Sequence, residues 1–351
     1  MQNGARLPST IILAVFACVA IPFAVAGYEL AAFGWHPARE EPALYTAYHW
    51  ARMAVSASLA LLLCWALARH LRPQRAEPMT VSELRFAAAS LVGAAAMLGL
   101  LVADPLLFNQ FSAEDHLLEW ASALLLFGGT VFCLAAAARR AGRNRSAVID
   151  SVLALGFAGL FFLIGMEEIS WGQRVFGFDT PDAVAEMNWQ GEFNLHNIQT
   201  DLSELAFYLG TGVFLIILPL MRGAIGDWPP FRRFEAFVPS RAVAAASAPM
   251  LFLSYGHWNL LPIQMLTMIG ALAMLAFARS ARTNGCVGEA LLFTLAALLV
   301  AIGQIAILIL GPTMVEIFDA TEYREFFIAL GLAMFGYELA RRPNDRIAHA
   351  D

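Results

Sequence analysis

About ten times, between short polar breaks, this chain offers a run of roughly 20 mostly apolar residues, the length an α-helix needs to cross a bilayer. The runs lie near 10–30, 48–68, 86–103, 116–138, 147–166, 203–221, 242–257, 262–279, 288–310 and 322–340. Such repetition leaves little choice of fold, because in lipid every backbone polar group must find its partner inside the segment. The reading is an all-α, polytopic transmembrane helical bundle of about ten spans. Composition agrees: 59% of the 351 residues are hydrophobic and 14% charged, against about 25% charged in soluble domains. One membrane domain covers 1–342, and a polar tail follows at 343–351.

Direction comes from the arginines, since all 22 basic residues are Arg. One set of alternate loops holds Arg6; Arg69, Arg72, Arg75 and Arg85; Arg139, Arg140, Arg143 and Arg145; Arg222, Arg232, Arg233 and Arg241; Arg279 and Arg282; Arg341, Arg342 and Arg346. The other set has only Arg39, Arg174 and Arg324, with Arg52 just inside a span. Positive charge stays in the cytoplasm during insertion, so the first set and both termini are expected there. The expected location is the bacterial inner membrane. Residues 1–27 also read as a signal peptide, with Arg6, an apolar stretch and Ala24-Val25-Ala26. The length of the apolar run, continuing into Leu30 and Phe33, favours an uncleaved first span. The arginines are dispersed and the net charge is −6, which argues against a nucleic-acid partner. Cys18, Cys64, Cys133 and Cys286 fall in apolar runs or on a turn, as small core residues rather than a metal framework.

Polar chemistry is expected to gather on the arginine-poor, outer side. Several acids there read as helix caps: Ser112 with Asp115, Asp201 with Glu204, and Asp319 with Glu322, each an N-terminal pair that the helix dipole favours by about 0.3–1 kcal/mol. Asp150 and Glu289 read the same way on the cytoplasmic side. Glu167 and Glu168 resist that account. They end the fifth span, at the negative pole of a helix, where two adjacent acids are unfavourable without a compensating partner. Adjacent helical residues point about 100° apart, so one of the two should face the bundle and the other the loop.

The 167–202 loop is the longest unspanned segment and should be structured. Thr180-Pro181-Asp182 starts a short helix, and residues 188–197 are dense in amides beside an acid and a histidine. Those side chains suit recognition of a polar group or folding of the loop on itself. His116 and Glu119 share one face of the fourth span, and Glu119 sits a turn inside the apolar run. His257, between two closely spaced spans, offers a third imidazole. Glu29 ends the first span with no surrounding motif. Candidate catalytic residues are therefore Glu167, Glu168 and Glu119. Candidate substrate-binding residues are Arg174, Trp171, Asn194 and Asn197. Candidate metal ligands are His196, His116 and His257.

The segment Glu167-Glu-Ile-Ser-Trp-Gly-Gln-Arg-Val-Phe-Gly-Phe178, with Thr180-Pro181 and Gln190-Gly-Glu-Phe-Asn-Leu-His-Asn197, resembles the outer-loop signature of a family of uncharacterised bacterial multi-pass membrane proteins. The resemblance implies a polytopic membrane fold and carries no activity with it.

Three functional readings follow. The first is a membrane-embedded hydrolase or transferase acting on a lipid or lipid-linked head group, with a divalent metal such as zinc as the expected cofactor. The second is a transporter, against which the sequence has no paired broken helices and only Gln304 as a clear central polar side chain. The third is a non-catalytic assembly or sensing protein that binds a partner through the 167–202 loop. The topology predicts that a reporter active only in the cytoplasm works when fused after residue 342 and stays silent when inserted between 178 and 182. The opposite pattern would overturn the orientation.

Overall fold

The computed structural model describes residues 7–70, 78–113, 116–142, 144–188, 191–310 and 321–342, without the side chain of Arg174. Among the described residues it is all-helical, with no strand. The long helices are α1 (Ser9–Phe33), α2 (Ala47–Ala68), α3 (Val81–Ala103), then a short α4 (Pro105–Ser112), α5 (Leu117–Arg140) and α6 (Arg145–Glu168). After the loop's short α7 (Gln173–Phe176) and α8 (Asp182–Ala185) come α9 (Thr200–Ile225), α10 (Pro229–Arg233) and α11 (Arg241–Ser247). The chain closes with α12 (Leu261–Thr283), α13 (Val287–Ile309) and α14 (Thr321–Arg341). Eight of these are long and apolar enough to cross a membrane, which makes the chain a multi-pass membrane protein. Helix α14 is equally long but carries Glu322, Arg324, Glu325 and Glu338.

The segment expected as a span over 242–257 is not one helix. Helix α11 tightens into a 3-10 turn over Ala248–Leu251, and Phe252–Leu260 is irregular. Nearly every residue from Ala242 to Leu261 is buried. Non-helical backbone at membrane depth is tolerated only where protein covers it, and here α3, α12, α13 and α14 do so. Its carbonyls are taken by donors from neighbouring segments. Ser90 Oγ donates to Ala246 O (2.6 Å) and Thr267 Oγ1 to Leu251 O (2.8 Å). Arg52 donates to Asn259 O, and the Glu41 amide to Gly256 O at 2.9 Å.

Glycines let this segment in. A Cβ on Gly303 of α13 would stand 2.7 Å from the Phe252 ring, and one on Gly331 of α14 would stand 2.0 Å from Ser247 Oγ. Helix α9 is also irregular, with a π-helical stretch over Val213–Ile217 that packs against α11 and α12.

The capping expectations shift in detail. Ser112 ends α4, with its hydroxyl on the Phe108 and Asn109 carbonyls, and Asp104 is the residue that caps that helix, accepting from the Leu107 amide at 3.0 Å. Asp150 and Glu289 are ion-paired, with Arg233 at 2.7 Å and Arg241 at 2.6 Å. Asp115, Asp319 and the 343–351 tail lie outside the described residues. Gly303→Ala is expected to destabilise the protein by about 1–3 kcal/mol through overpacking against Phe252. Gly99→Ala on α3, where a Cβ meets nothing within 4 Å, should leave the melting temperature in detergent unchanged.

Candidate functional site

At the arginine-poor end the helices deliver three polar constellations. The first belongs to the 167–202 loop. Glu167 Oε1 accepts from Trp171 Nε1 at 2.6 Å, while Oε2 accepts from the Leu195 and His196 amides at 2.7 and 3.1 Å and meets His196 Nδ1 at 3.3 Å. One carboxylate thus ties both ends of the loop. Ser170, Trp171 and Gly172 follow with φ of 44°, 56° and 75°. For residues with a Cβ this left-handed geometry costs roughly 1–2 kcal/mol each, so the surrounding bonds must hold it. Ser170 Oγ donates to Glu192 Oε2, Gln173 bridges Thr180 Oγ1 and the Phe193 amide, and Asn188 Nδ2 donates to Asn194 Oδ1 at 2.7 Å. Of the two options for the amide-rich stretch, the structure displays the folding of the loop on itself. Trp171 and Asn194 are engaged there, Asn197 is buried, and the side chain of Arg174 lies outside the description.

A second network surrounds Glu29, the buried acid at the end of α1. Arg52 Nη1 lies 3.0 Å from its Oε1, and Tyr48 Oη donates to it at 2.9 Å. The anti-dipole position is thus compensated by a buried ion pair.

The third constellation lies inside the bundle. Glu168 turns inward while Glu167 turns to the loop, the division that their 100° separation predicts. One carboxylate oxygen from each of Glu168, Glu322 and Glu325 lies within 4.8 Å of the others, and Glu168 shares a side-chain hydrogen bond with Glu325. Glu119 is close enough to add to the repulsion on Glu168. Tyr208 of α9 is the hub. Its hydroxyl donates to Glu325 at 2.8 Å, the Arg324 guanidinium stacks 3.7 Å above its ring, and the His257 ring meets its edge at 5.4 Å. His257 Nε2 lies 3.3 Å from Glu204 Oε2, one helical turn before Tyr208 on the same face of α9. Arg324 and His257 are each 1% exposed. The Nε and Nη1 of Arg324 and the Nδ1 of His257 have no hydrogen-bond partner among the described residues.

An open cleft of about 530 Å³ is lined by His36, Glu40, Asn197, Gln199 and Asp201 among others. Burial, and then the Asp201 charge, push the Glu40 carboxyl above the usual carboxylate range. Glu40 also repels Glu204, so the lining of the cleft acts electrostatically on the array.

The structure therefore separates residues the sequence had grouped. His196 joins Glu167 in the loop, and His257 joins Glu204, Tyr208 and Arg324. His116 lies at the N-terminal boundary of α5. Among the described residues the histidines do not assemble into a group of three or more metal-ligand atoms; the group in range is all carboxylate. Sequence reasoning missed Arg324, Tyr208 and Glu325, and took Glu204 and Glu322 as caps. The available signal was Arg324 itself, a rare cation on the arginine-poor side between two acids.

No family model, curated protein or solved structure matches the chain. Glu167→Gln weakens two backbone anchors and the His196 contact. Limited proteolysis should then cut within 170–198 faster, by about the 5–30-fold that 1–2 kcal/mol of local stability represents, while the helical content stays constant. Unchanged cleavage would remove Glu167 from its anchoring role.

Proposed function

We propose that this protein is a membrane-embedded enzyme, a hydrolase or transferase, that acts from the outer side of the bacterial inner membrane on the head group of a lipid or lipid-linked substrate. The observation that carries the reading is the pair of fully buried side chains, Arg324 and His257, held against Tyr208 among five glutamates, with donors that no described residue satisfies. Buried charges are retained at such depth where they do chemistry or bind. In this reading Glu204 and His257 act as a general acid–base pair, the carboxylate orienting the imidazole and taking up its charge. Arg324 offers two donors to an anionic group of the substrate. Glu168, Glu119 and Glu325 bound the far side. The exposed apolar side chains of Val175, Phe176 and Leu195 suit a loop lying in the head-group layer.

A transporter is the second reading, favoured by the interruption that follows α11 and by the packing of α11 itself on the π-helical stretch of α9. One experiment separates the two. Purified protein in nanodiscs is incubated with a total bacterial lipid extract, and the lipids are resolved by mass spectrometry. Time-dependent conversion of a lipid class is expected, reduced about 10²–10⁴-fold by His257→Ala and Glu204→Gln. Lipids left untouched by the wild type, together with solute uptake into proteoliposomes that both variants abolish, would replace the enzyme with the transporter.

A further inference from the structure

We infer that Glu168, Glu322 and Glu325 form a binding site for a hard divalent cation, Mg²⁺ or Mn²⁺, held by carboxylate oxygens of α6 and α14. The site differs from the histidine set expected from the sequence in both residues and metal class. Mg²⁺ holds its oxygens at about 2.0–2.1 Å, so oxygens facing each other across the ion lie about 4 Å apart, a spacing that the three carboxylate oxygens, all within 4.8 Å of one another, reach by small side-chain shifts. Three oxygen donors with no thiolate or imidazole in the group suit Mg²⁺ or Mn²⁺ rather than zinc. They also leave positions open for water or substrate.

Charge supports the same conclusion. Glu168 is 9% exposed and ends an apolar span. Glu119 and Glu204 add further negative charge around the group, and the Arg324 guanidinium sets a positive charge against Glu204 and Glu325.

An acidic cluster alone would say little, because two of the three glutamates open a helix. The independent observation is Arg324. It is 1% exposed, stacked on the tyrosine whose hydroxyl holds Glu325, and its Nε and Nη1 lack acceptors. A buried guanidinium with unspent donors beside a carboxylate-held cation is the arrangement that receives an anionic group on both charges at once. The cation's role in chemistry rests on the enzyme reading above; its binding does not.

The test is titration of Mn²⁺ into chelator-stripped protein in nanodiscs, followed by electron paramagnetic resonance. One ion per chain is expected, displaced by Mg²⁺. Glu168→Gln and Glu325→Gln should each weaken binding by about 10-fold or more, whereas Glu186→Gln, on an exposed loop, should not. If a glutamine variant fails to fold by size exclusion, Glu322→Asp is read instead, since it keeps the charge and withdraws the oxygen by one methylene. A folded wild type that binds no Mn²⁺, or binding indifferent to the cluster variants, overturns the site. Lipid conversion that persists in chelator would refute the cation's role while leaving the enzyme reading intact. Mn²⁺ binding without any lipid conversion would do the reverse.

Discussion

The structure depends on satisfying the backbone of one buried, interrupted segment, Arg241 to Leu261. A continuous helix would need no help from its neighbours, because its carbonyls bond internally. Once the helix stops at Leu251, each freed carbonyl in an apolar surround costs free energy unless a donor arrives. Ser90, Thr267, Arg52 and the Glu41 amide arrive from four different places in the chain. The packing of α2, α3, α12 and the 34–46 connection around this segment is thus a condition for its conformation. Close approach is the other condition, met by Gly270, Gly303 and Gly331 on the three helices facing it.

That interruption has a consequence for the site. Because the chain leaves helical geometry before the arginine-poor end, it turns over Tyr255–Asn259 and sets His257 against Tyr208 rather than on the outside of a span. Helix α9 brings Glu204 and Tyr208 on one face, and α14 brings Glu322, Arg324 and Glu325 near its N-terminus. The array is a meeting of helix ends, where dipoles and side chains mix in a medium that screens charge weakly. Tyr208 joins its two halves, bonding Glu325 at one edge and carrying Arg324 on its face.

Two glutamates that are neighbours in sequence divide the polar chemistry of the arginine-poor end between them. Glu167 is consumed by the loop, and its oxygens fix Trp171, Leu195 and His196 while Ser170 and Trp171 adopt left-handed backbone. Glu168 belongs to the bundle. The signature-like stretch around them is, in its described part, a self-supporting structure, and its amides are largely spent within it. The polar groups with capacity left lie deeper, in residues that carry no motif. A motif marks local geometry that must be built from consecutive residues, whereas a buried site assembled from five elements has no reason to be contiguous.

What the sequence determined by itself was the apolar length of each span, the arginine asymmetry between the two ends, the structured nature of the 167–202 loop and the opposed directions of Glu167 and Glu168. Each of these is set within one helical turn or one hydrophobic run, so no tertiary knowledge is needed. Tertiary structure alone decided that the seventh apolar run breaks, since its composition suits a helix and only the donors and glycines of other segments make the break tolerable. It also decided that Glu204 and Glu322, which read as caps, lie with Glu325, Arg324 and His257 around Tyr208. A capping acid and a buried site acid occupy the same first turn of a helix, and only the neighbours packed against that turn distinguish them.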